Sequence, residues 1–416
     1  MVSLIKNIIY TTPEIINVEG FIAPGYEGIK DAFEKNFTDG WESEGGSLAV
    51  YHKGKLVVDI WGGYADKECR RLWKSDTITI TFSSTKAMAA LCIALLVDRN
   101  LLNYDDKIIK FWPEFGKNGK ESITVQWILS HLSGLAYFDQ EITEEDARDW
   151  KRMAKIIENE APKWDVGREA GYHAITYGWL VDQIVRRVDP RKRSLAQFFR
   201  DEIQHGSDYH IGLDPSESRR VARLKCPSVS QRINEFFTNP KAINYFKVLY
   251  DFATNGIFTK IEANPAWFKF FKHEITLNNP DLYTLEHPGV MGIGNGKSMA
   301  EIFHRAIFEK KLFKNPETLQ KFTTPFIEVK DKVVGMSNTR GQGLFHKQYF
   351  HKPSGKLCKS FGHCGFGGQM IKVDLENELC YGYVSNGLKC GLSDNIRTFA
   401  AIQKSIYDCI LIKQQC

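Results

Sequence analysis

The chain has 416 residues, of which 43% are hydrophobic and 25% are charged, and its formal net charge is +5. This is the composition of a globular protein, and the chain is long enough for one large core or two moderate ones. The mild basicity argues against a nucleic-acid-binding protein. The densest basic run, Arg186–Arg193, is interrupted by Asp189 and Pro190, which is typical of a solvated helix end.

The nine cysteines are irregularly spaced and form neither a CxxC motif nor a Cys/His cluster with metal-ligand spacing. The sequence therefore predicts reduced thiols, no metal site and no cofactor. Residues 1–16 do not have the pattern of a secretory signal, and no apolar run reaches the ~18 residues that a membrane span needs. We expect a cytoplasmic protein; a mitochondrial location is left open, although Lys6 is the one basic residue among the first twenty.

The predicted elements follow one another from strands to helices and back to strands. Residues 26–37 predict an amphipathic helix, and Gly45–Asp66 predict a hairpin because apolar and polar residues alternate between glycine pairs. The next helix, which includes Lys86, is apolar nearly all round and should therefore be central. Helices and loops follow from about residue 104 to 305, then a second hairpin over Gly367–Gly387 and a last helix from about Asp394 to Ile412.

Strands at both ends with helices between them predict an α/β (α+β) fold. We predict a single domain over residues 1–416. Its α/β subdomain comprises about residues 20–80 and 308–416, and its mostly helical subdomain comprises about residues 81–307. The cleft between the two subdomains is the expected site.

Ser83 and Lys86 are the first candidate catalytic pair. At positions i and i+3 of a helix the two side chains lie on one face. A buried lysine loses its proton more readily and can then accept the proton of a serine hydroxyl. The alternative is an ordinary capped helix in which Ser83 or Ser84 caps the first turn. The spacing alone does not decide between these two interpretations.

Three further motifs follow in chain order: Ile123–Leu135 (ITVQWILSHLSGL), Tyr172-His173-Ala174, and His363-Cys364-Gly365. Together with the stretch around Ser83 they resemble the serine β-lactamase-related family. The resemblance is strongest to its class C-like branch of esterases, D-aminopeptidases and animal β-lactamase-domain proteins. It spans roughly residues 25–410. It implies a β-lactamase/transpeptidase-like fold, with an antiparallel sheet flanked by helices and a mostly helical insert.

The resemblance also implies roles for single residues. Ser83 would be the nucleophile, and Lys86 and Tyr172 would accept and return its proton. From the residues alone, Tyr172 could instead be a packing residue in a glycine-bounded loop.

The last motif would supply the substrate-binding side of the site. His363 would orient or polarise the substrate, and Gly365 would let its backbone approach closely. The backbone N–H groups of Ser83 and Phe366 would form an oxyanion hole. From the residues alone, His363 could be an ordinary turn histidine.

The sequence departs from the family pattern at three places. Ala174 stands where true β-lactamases have asparagine, and His363 stands where they have lysine. Val166 and Arg168 stand in place of the Pro-Gly-Thr expected before Tyr172. We therefore predict a serine hydrolase that forms an acyl-enzyme with small esters or amides and is not an antibiotic-resistance enzyme.

The rival hypothesis is a catalytically weak or inactive scaffold with a structural, assembly or binding role. Animal members of the family include an assembly-forming mitochondrial protein, so a homo-oligomer is possible. The predicted partners are otherwise limited to a small-molecule ester or amide, with no nucleic acid and no membrane span.

Overall fold

The computed structural model describes residues 17–240, 245–270, 274–391 and 393–412. The prediction that no secretory signal is present concerns residues 1–16, which lie outside the described residues. The boundaries of the two subdomains, near residues 81 and 308, stay a prediction.

The elements are numbered in chain order. The strands are β1 (Val18–Ile22), β2 (Gly45–His52), β3 (Lys55–Asp66), β4 (Arg71–Leu72), β5 (Thr79–Ile80), β6 (Tyr209–Ile211), β7 (Gly292–Gly294), β8 (Ile327–Lys330), β9 (Ser337–Arg340), β10 (Phe345–His351), β11 (Lys356–Cys364), β12 (Met370–Asp374) and β13 (Leu379–Ser385). The α-helices are α1 (Glu27–Thr38), α2 (Thr85–Asp98), α3 (Val125–Leu129), α4 (Glu144–Arg148), α5 (Trp150–Asn159), α6 (Thr176–Val188), α7 (Leu195–Phe199), α8 (Val229–Thr238), α9 (Tyr245–Ala253), α10 (Ile257–Ala263), α11 (Gly296–Ile307), α12 (Pro316–Thr323) and α13 (Arg397–Leu411).

A large antiparallel sheet joins the two ends of the chain. Its strand order is β1-β3-β2-β13-β12-β11-β10-β9-β8, and β4 adds to β3. Both predicted hairpins are present, as β2–β3 and β12–β13, and the β2–β13 pairing places them side by side. The sheet therefore brings β11, with the His363 motif, into the middle of the molecule.

Helices cover both faces of this sheet. Alternate side chains such as Leu48 and Val50 pack against α1 and α13, whereas Ala49 belongs to the core on the other face, where α11 crosses β2 and β13. Two glycines permit this crossing, since a Cβ added at Gly296 would lie 2.6 Å from the carbonyl oxygen of Gly382. The alternation predicted for the hairpins thus decides which helix each face receives.

Helix α2 is central, as its composition predicts. All of its residues except Val97 are buried, so it has no solvent face. The region predicted as mostly helical also contains a small antiparallel sheet in the order β5-β7-β6, whose strands are too short to show a periodic pattern in the sequence.

Two expectations need correction. The basic run after α6 is not simply solvated, because Arg193 is buried and forms ion pairs with Asp189, Asp201 and Glu202. The last helix begins at Arg397 and not near Asp394, which lies in a 3-10 turn. Within the described parts of the chain, no helix is both long enough and apolar enough to cross a membrane.

Candidate active site

Ser83 lies in a 3-10 turn, Phe82–Ser84, immediately before α2. Phe82 has φ +46°, a left-handed conformation that a bulky side chain adopts only under strain. Neither Ser83 nor Ser84 caps the helix with its side chain, so the capping alternative does not describe this turn. The strained residue instead precedes a serine whose side chain lines a cavity.

A buried hydrogen-bond network holds the Ser83 turn in place. The Thr85 hydroxyl donates to the Phe82 carbonyl at 2.5 Å and accepts from the Gly292 N–H at 2.9 Å. The hydroxyls of Thr81 and Tyr209 share a hydrogen bond of 2.6 Å. Strands β6 and β7 of the small sheet thus hold the Ser83 turn through these hydrogen bonds, which offset the backbone strain at Phe82.

Lys86 is fully buried behind Ser83. Its Nζ lies 3.1 Å from Ser83 Oγ. It also donates to the carbonyl oxygens of Ala174, at 2.7 Å, and Gly289, at 2.8 Å. Among the residues that the structure describes, no carboxylate forms an ion pair with Lys86.

Burial without a counter-charge lowers the pKa of Lys86 well below its ordinary value. A neutral amine has two N–H groups and one lone pair. If both N–H groups of a neutral amine bind the carbonyls of Ala174 and Gly289, its lone pair is directed at Ser83 Oγ, 3.1 Å away. The contacts therefore suit a base that is ready to take the serine proton.

Tyr172 lines the same cavity and lies close to both residues. Lys86 Nζ is 5.1 Å from the centroid of the tyrosine ring. Burial raises the pKa of Tyr172 well above its ordinary value, although a hydrogen bond with the Ser83 hydroxyl acts in the opposite direction. The phenol is therefore neutral near pH 7 and suits a proton donor or relay better than a permanent phenolate.

Hydrogen bonds between the Ser133-Gly134-Leu135 segment and His173 fix the loop that includes Tyr172. The His173 ring donates from Nδ1 to the Gly171 carbonyl at 2.6 Å, and its Nε2 accepts from the Leu135 N–H at 3.0 Å. Ser133 Oγ lies 2.8 Å from the same Nε2. Burial lowers the pKa of His173 to about 3, so the ring stays neutral. The Ser133-Gly134-Leu135 segment therefore anchors the tyrosine.

His363 lies beside Tyr172, with ring centroids 6.2 Å apart. Its Nδ1 donates to the Cys364 carbonyl at 2.7 Å. Burial lowers its pKa to about 3, so the ring is uncharged at physiological pH and does not replace the positive charge of a lysine. Cys364, and not His363, lines the cavity. His363 is thus placed to act on Tyr172 more directly than on a substrate.

Gly365 and Phe366 bring the end of β11 onto the Ser83 turn. A Cβ at Gly365 would collide with the Thr81 carbonyl, so only glycine allows this approach. Phe366 begins a 3-10 turn, and its ring packs edge-on against Phe82 at 5.6 Å. Phe366 and Ser83 therefore line the same cavity.

The cavity above Ser83 has a volume of about 370 Å³, within the usual range for small-ligand sites. Its apolar lining residues are Phe82, Ala174, Ile175, Phe258, Ile261, Phe268, Phe270, Val290, Val333, Val334, Met336, Phe345 and Phe366. Polar side chains, among them Arg340, Lys347 and Asp394, line another part of the wall. In the described part of the chain, no group of three or more His, Cys, Asp or Glu residues could hold a metal ion.

Three further residues contribute to this site without any signal in the sequence. Gly289 supplies a carbonyl to Lys86, and a Cβ added at Gly178 would lie 2.6 Å from the Gly289 nitrogen, so two glycines set this approach. Arg340 is buried, pairs with Asp331 and donates to the Ser130 carbonyl at 3.2 Å. Backbone acceptors leave no trace in a sequence, and Arg340 lies in none of the motifs that show the family resemblance.

Comparison with known proteins decides the family. Residues 33–403 match the model of the Beta-lactamase family. The chain belongs to this family. It is 28% identical over 384 residues to Esterase/beta-lactamase LipL of Mycobacterium tuberculosis, across 89% of this chain and 83% of that protein.

Solved structures agree with this assignment. A family VIII carboxylesterase matches with a TM-score of 0.76 at 27% identity, over 94% of this chain and 100% of its own. A penicillin-binding protein homolog from Caulobacter crescentus matches with a TM-score of 0.76 at 29% identity, over 94% and 100% of the two chains. The predicted family, the β-lactamase/transpeptidase-like fold and the class of serine hydrolase are confirmed. The roles of single residues stay predictions.

Replacing Lys86 by methionine should separate activity from stability. At pH values between the lowered pKa of Lys86 in the folded protein and 10.5, the ordinary lysine pKa, Lys86 is protonated in the unfolded chain and neutral in the folded protein. The free energy of unfolding of the wild type therefore falls as the pH falls through this window. We expect Lys86→Met to lose about 10²–10⁴-fold in ester hydrolysis and yet to melt at a higher temperature at pH 7.

Thermal unfolding of wild type and variant from pH 7 to pH 10 checks this expectation, and the gain in melting temperature should shrink as the pH rises. The exposed lysine of the Lys35–Asp39 pair provides the control, since Lys35→Met should leave both activity and melting temperature nearly unchanged. A Lys86→Met protein less stable than the wild type at every pH would contradict a neutral buried amine.

Proposed function

We propose that this protein hydrolyses small carboxylic esters through an acyl-enzyme on Ser83. The observation on which the proposal depends is the 3.1 Å contact between Ser83 Oγ and the buried Lys86 Nζ, at the wall of an apolar cavity. The esterase and carboxylesterase names of the relatives support it. The intact Ser83, Lys86 and Tyr172 cluster favours an enzyme over a non-catalytic scaffold.

In the first step, Ser83 Oγ attacks the ester carbonyl while its proton moves to the neutral Lys86 amine. The backbone N–H groups of Ser83 and Phe366 are the donors we assign to the resulting oxyanion. The proton then passes through the Tyr172 phenol to the leaving alkoxide, which departs as an alcohol. Each residue thus has the protonation state that its burial favours before the reaction starts.

In the second step, water attacks the acyl group on Ser83. Lys86 and Tyr172 take the water proton and return it to Ser83 Oγ as the acid leaves. We assign His363 a positioning role, because its neutral ring packs near Tyr172 and its side chain does not line the cavity. A cytoplasmic location and a homo-oligomer stay proposals from the sequence.

The adjacent serines allow a matched test of the nucleophile. Ser83→Ala should abolish both ester turnover and covalent labelling by a fluorophosphonate, since it removes the attacking oxygen. Ser84→Ala should keep the labelling, because the Ser84 hydroxyl donates to the His363 carbonyl at 3.3 Å and Ser84 does not line the cavity. Intact-protein mass spectrometry and peptide mapping provide the readout; an adduct on Ser83→Ala at the wild-type level would refute the assignment.

The apolar lining predicts a preference for longer acyl chains. Burying one additional methylene contributes about 0.8 kcal/mol, so kcat/KM for p-nitrophenyl esters should rise up to about fourfold per methylene from acetate to hexanoate. Ile261→Trp narrows the cavity, and it should lower kcat/KM for hexanoate while leaving acetate, the internal control, nearly unchanged. Equal kcat/KM values for all chain lengths in the wild type would show that acyl groups do not occupy this cavity.

A further inference from the structure

Helix α8 leaves its apolar stripe exposed to solvent, and its one buried side chain is that of the acidic Glu235. Val229, Ile233 and Phe237 recur every four residues, and their exposed fractions are 58%, 54% and 74%. Glu235, on the opposite side, is 7% exposed and accepts a hydrogen bond of 2.7 Å from Asn239. A surface helix normally buries its apolar stripe, so this inverted orientation requires an explanation.

The next helix, α9, also leaves apolar side chains exposed. Phe246 is 83% exposed and Tyr250, one turn later, is 68% exposed. We call these five residues, Val229, Ile233, Phe237, Phe246 and Tyr250, the α8–α9 apolar surface. Single exposed apolar residues are ordinary, whereas five on two consecutive helices are typical of a docking surface.

The segment that exposes this surface also forms part of the cavity wall. Helix α10 follows α9 after three residues, and Phe258 and Ile261 on α10 line the cavity above Ser83. The Phe252 and Phe258 rings pack edge-on at 6.2 Å, and the Gly256 N–H donates to the Asp251 carbonyl at 2.7 Å. Apolar groups therefore continue from the outer surface of α8 and α9 to the substrate cavity.

The charges of this segment favour an anionic lipid surface over other occupants. Residues 228–264 contain four basic residues, Arg232, Lys241, Lys247 and Lys260, and three acidic ones, Glu235, Asp251 and Glu262. Glu235 and Asp251 are buried, and Glu262 lines the cavity. Of the basic residues that the structure describes in this segment, Arg232 is half-buried and Lys260 is exposed. Exposed phenylalanines on a segment with accessible basic residues are typical of interfacial helices, whereas a second copy docked on the same surface would bring like charges together.

We propose that the α8–α9 apolar surface docks the protein onto an anionic phospholipid bilayer, with its phenylalanine and aliphatic side chains inserted among the lipids. Esters dissolved in that bilayer then reach the cavity along α10. This second statement rests on the proposed function; the docking does not. Docking is peripheral, and no segment crosses the bilayer.

Vesicle flotation tests the docking. The full chain should float with vesicles of phosphatidylcholine and phosphatidylglycerol and less with phosphatidylcholine alone. The double variant Ile233→Asn/Phe237→Ser should reduce the floated fraction at least about tenfold, because it removes two of the apolar side chains that would be buried among the lipids. Phe21→Ser, at an exposed phenylalanine on β1, is the matched control and should float like the wild type.

Ser83→Ala should also float like the wild type, so the docking is measured without catalysis. Wild-type protein that does not float with the anionic vesicles, or a double variant that floats unchanged, would overturn the proposal. So would a wild-type dimer in sedimentation equilibrium that the double variant abolishes, since the occupant would then be a second copy. Unchanged melting temperatures of the variants exclude misfolding as the cause.

A separate assay tests the link to catalysis. The double variant should lose hydrolysis of a long-chain ester carried in the anionic vesicles while it keeps hydrolysis of water-soluble p-nitrophenyl acetate. Equal loss on both esters would contradict a role for docking in substrate supply. Failure of the wild type to hydrolyse p-nitrophenyl acetate would instead refute the proposed function and leave the flotation result intact.

Discussion

The buried amine of Lys86 is the constraint on which the site depends. An ammonium ion at this position would require a counter-charge, and the described residues provide two backbone carbonyls instead. Those carbonyls come from Ala174 and Gly289, which are 88 and 203 residues away in the chain. Three distant segments must therefore meet around one nitrogen. A neutral amine can donate to both carbonyls and keep its lone pair for Ser83. Such a base needs no counter-charge, so the substrate cavity beside it can be apolar.

Close backbone approaches make this meeting possible, and buried histidines stabilise it. Gly365 lets β11 touch the Ser83 turn, and Gly178 lets helix α6 approach the loop that includes Gly289. His173 and His363 act as neutral hydrogen-bonding groups, since burial lowers both pKa values to about 3. The groups beside Ser83 are therefore uncharged, which suits a neutral ester, whereas Arg340, Lys347 and Asp394 place charges elsewhere in the cavity lining.

Much of this arrangement could be predicted from local patterns, and the failures have physical causes. The alternation in β2 and β3 and the apolar sequence of α2 identified these elements correctly. Strand β9 escaped because its sequence, SNTR, has no apolar alternation, and β8 escaped because its alternation, IEVK, covers only four residues. The contact of Lys86 with Gly289 could not be predicted, because a backbone carbonyl has no residue-specific signature. Periodicity indicates that α8 is amphipathic but cannot tell which of its faces meets the protein.

The most direct test of this account is the titration of Lys86 itself. Protein labelled with ¹³C at the lysine Cε position gives one resonance per lysine, and the one missing from Lys86→Met identifies the residue. The account predicts that this resonance titrates well below pH 10.5, the ordinary lysine value, and that kcat/KM for p-nitrophenyl butyrate rises with pH at the same pKa. A Lys86 resonance that keeps the chemical shift of an ammonium group up to pH 10.5, in a folded and active enzyme, would contradict it.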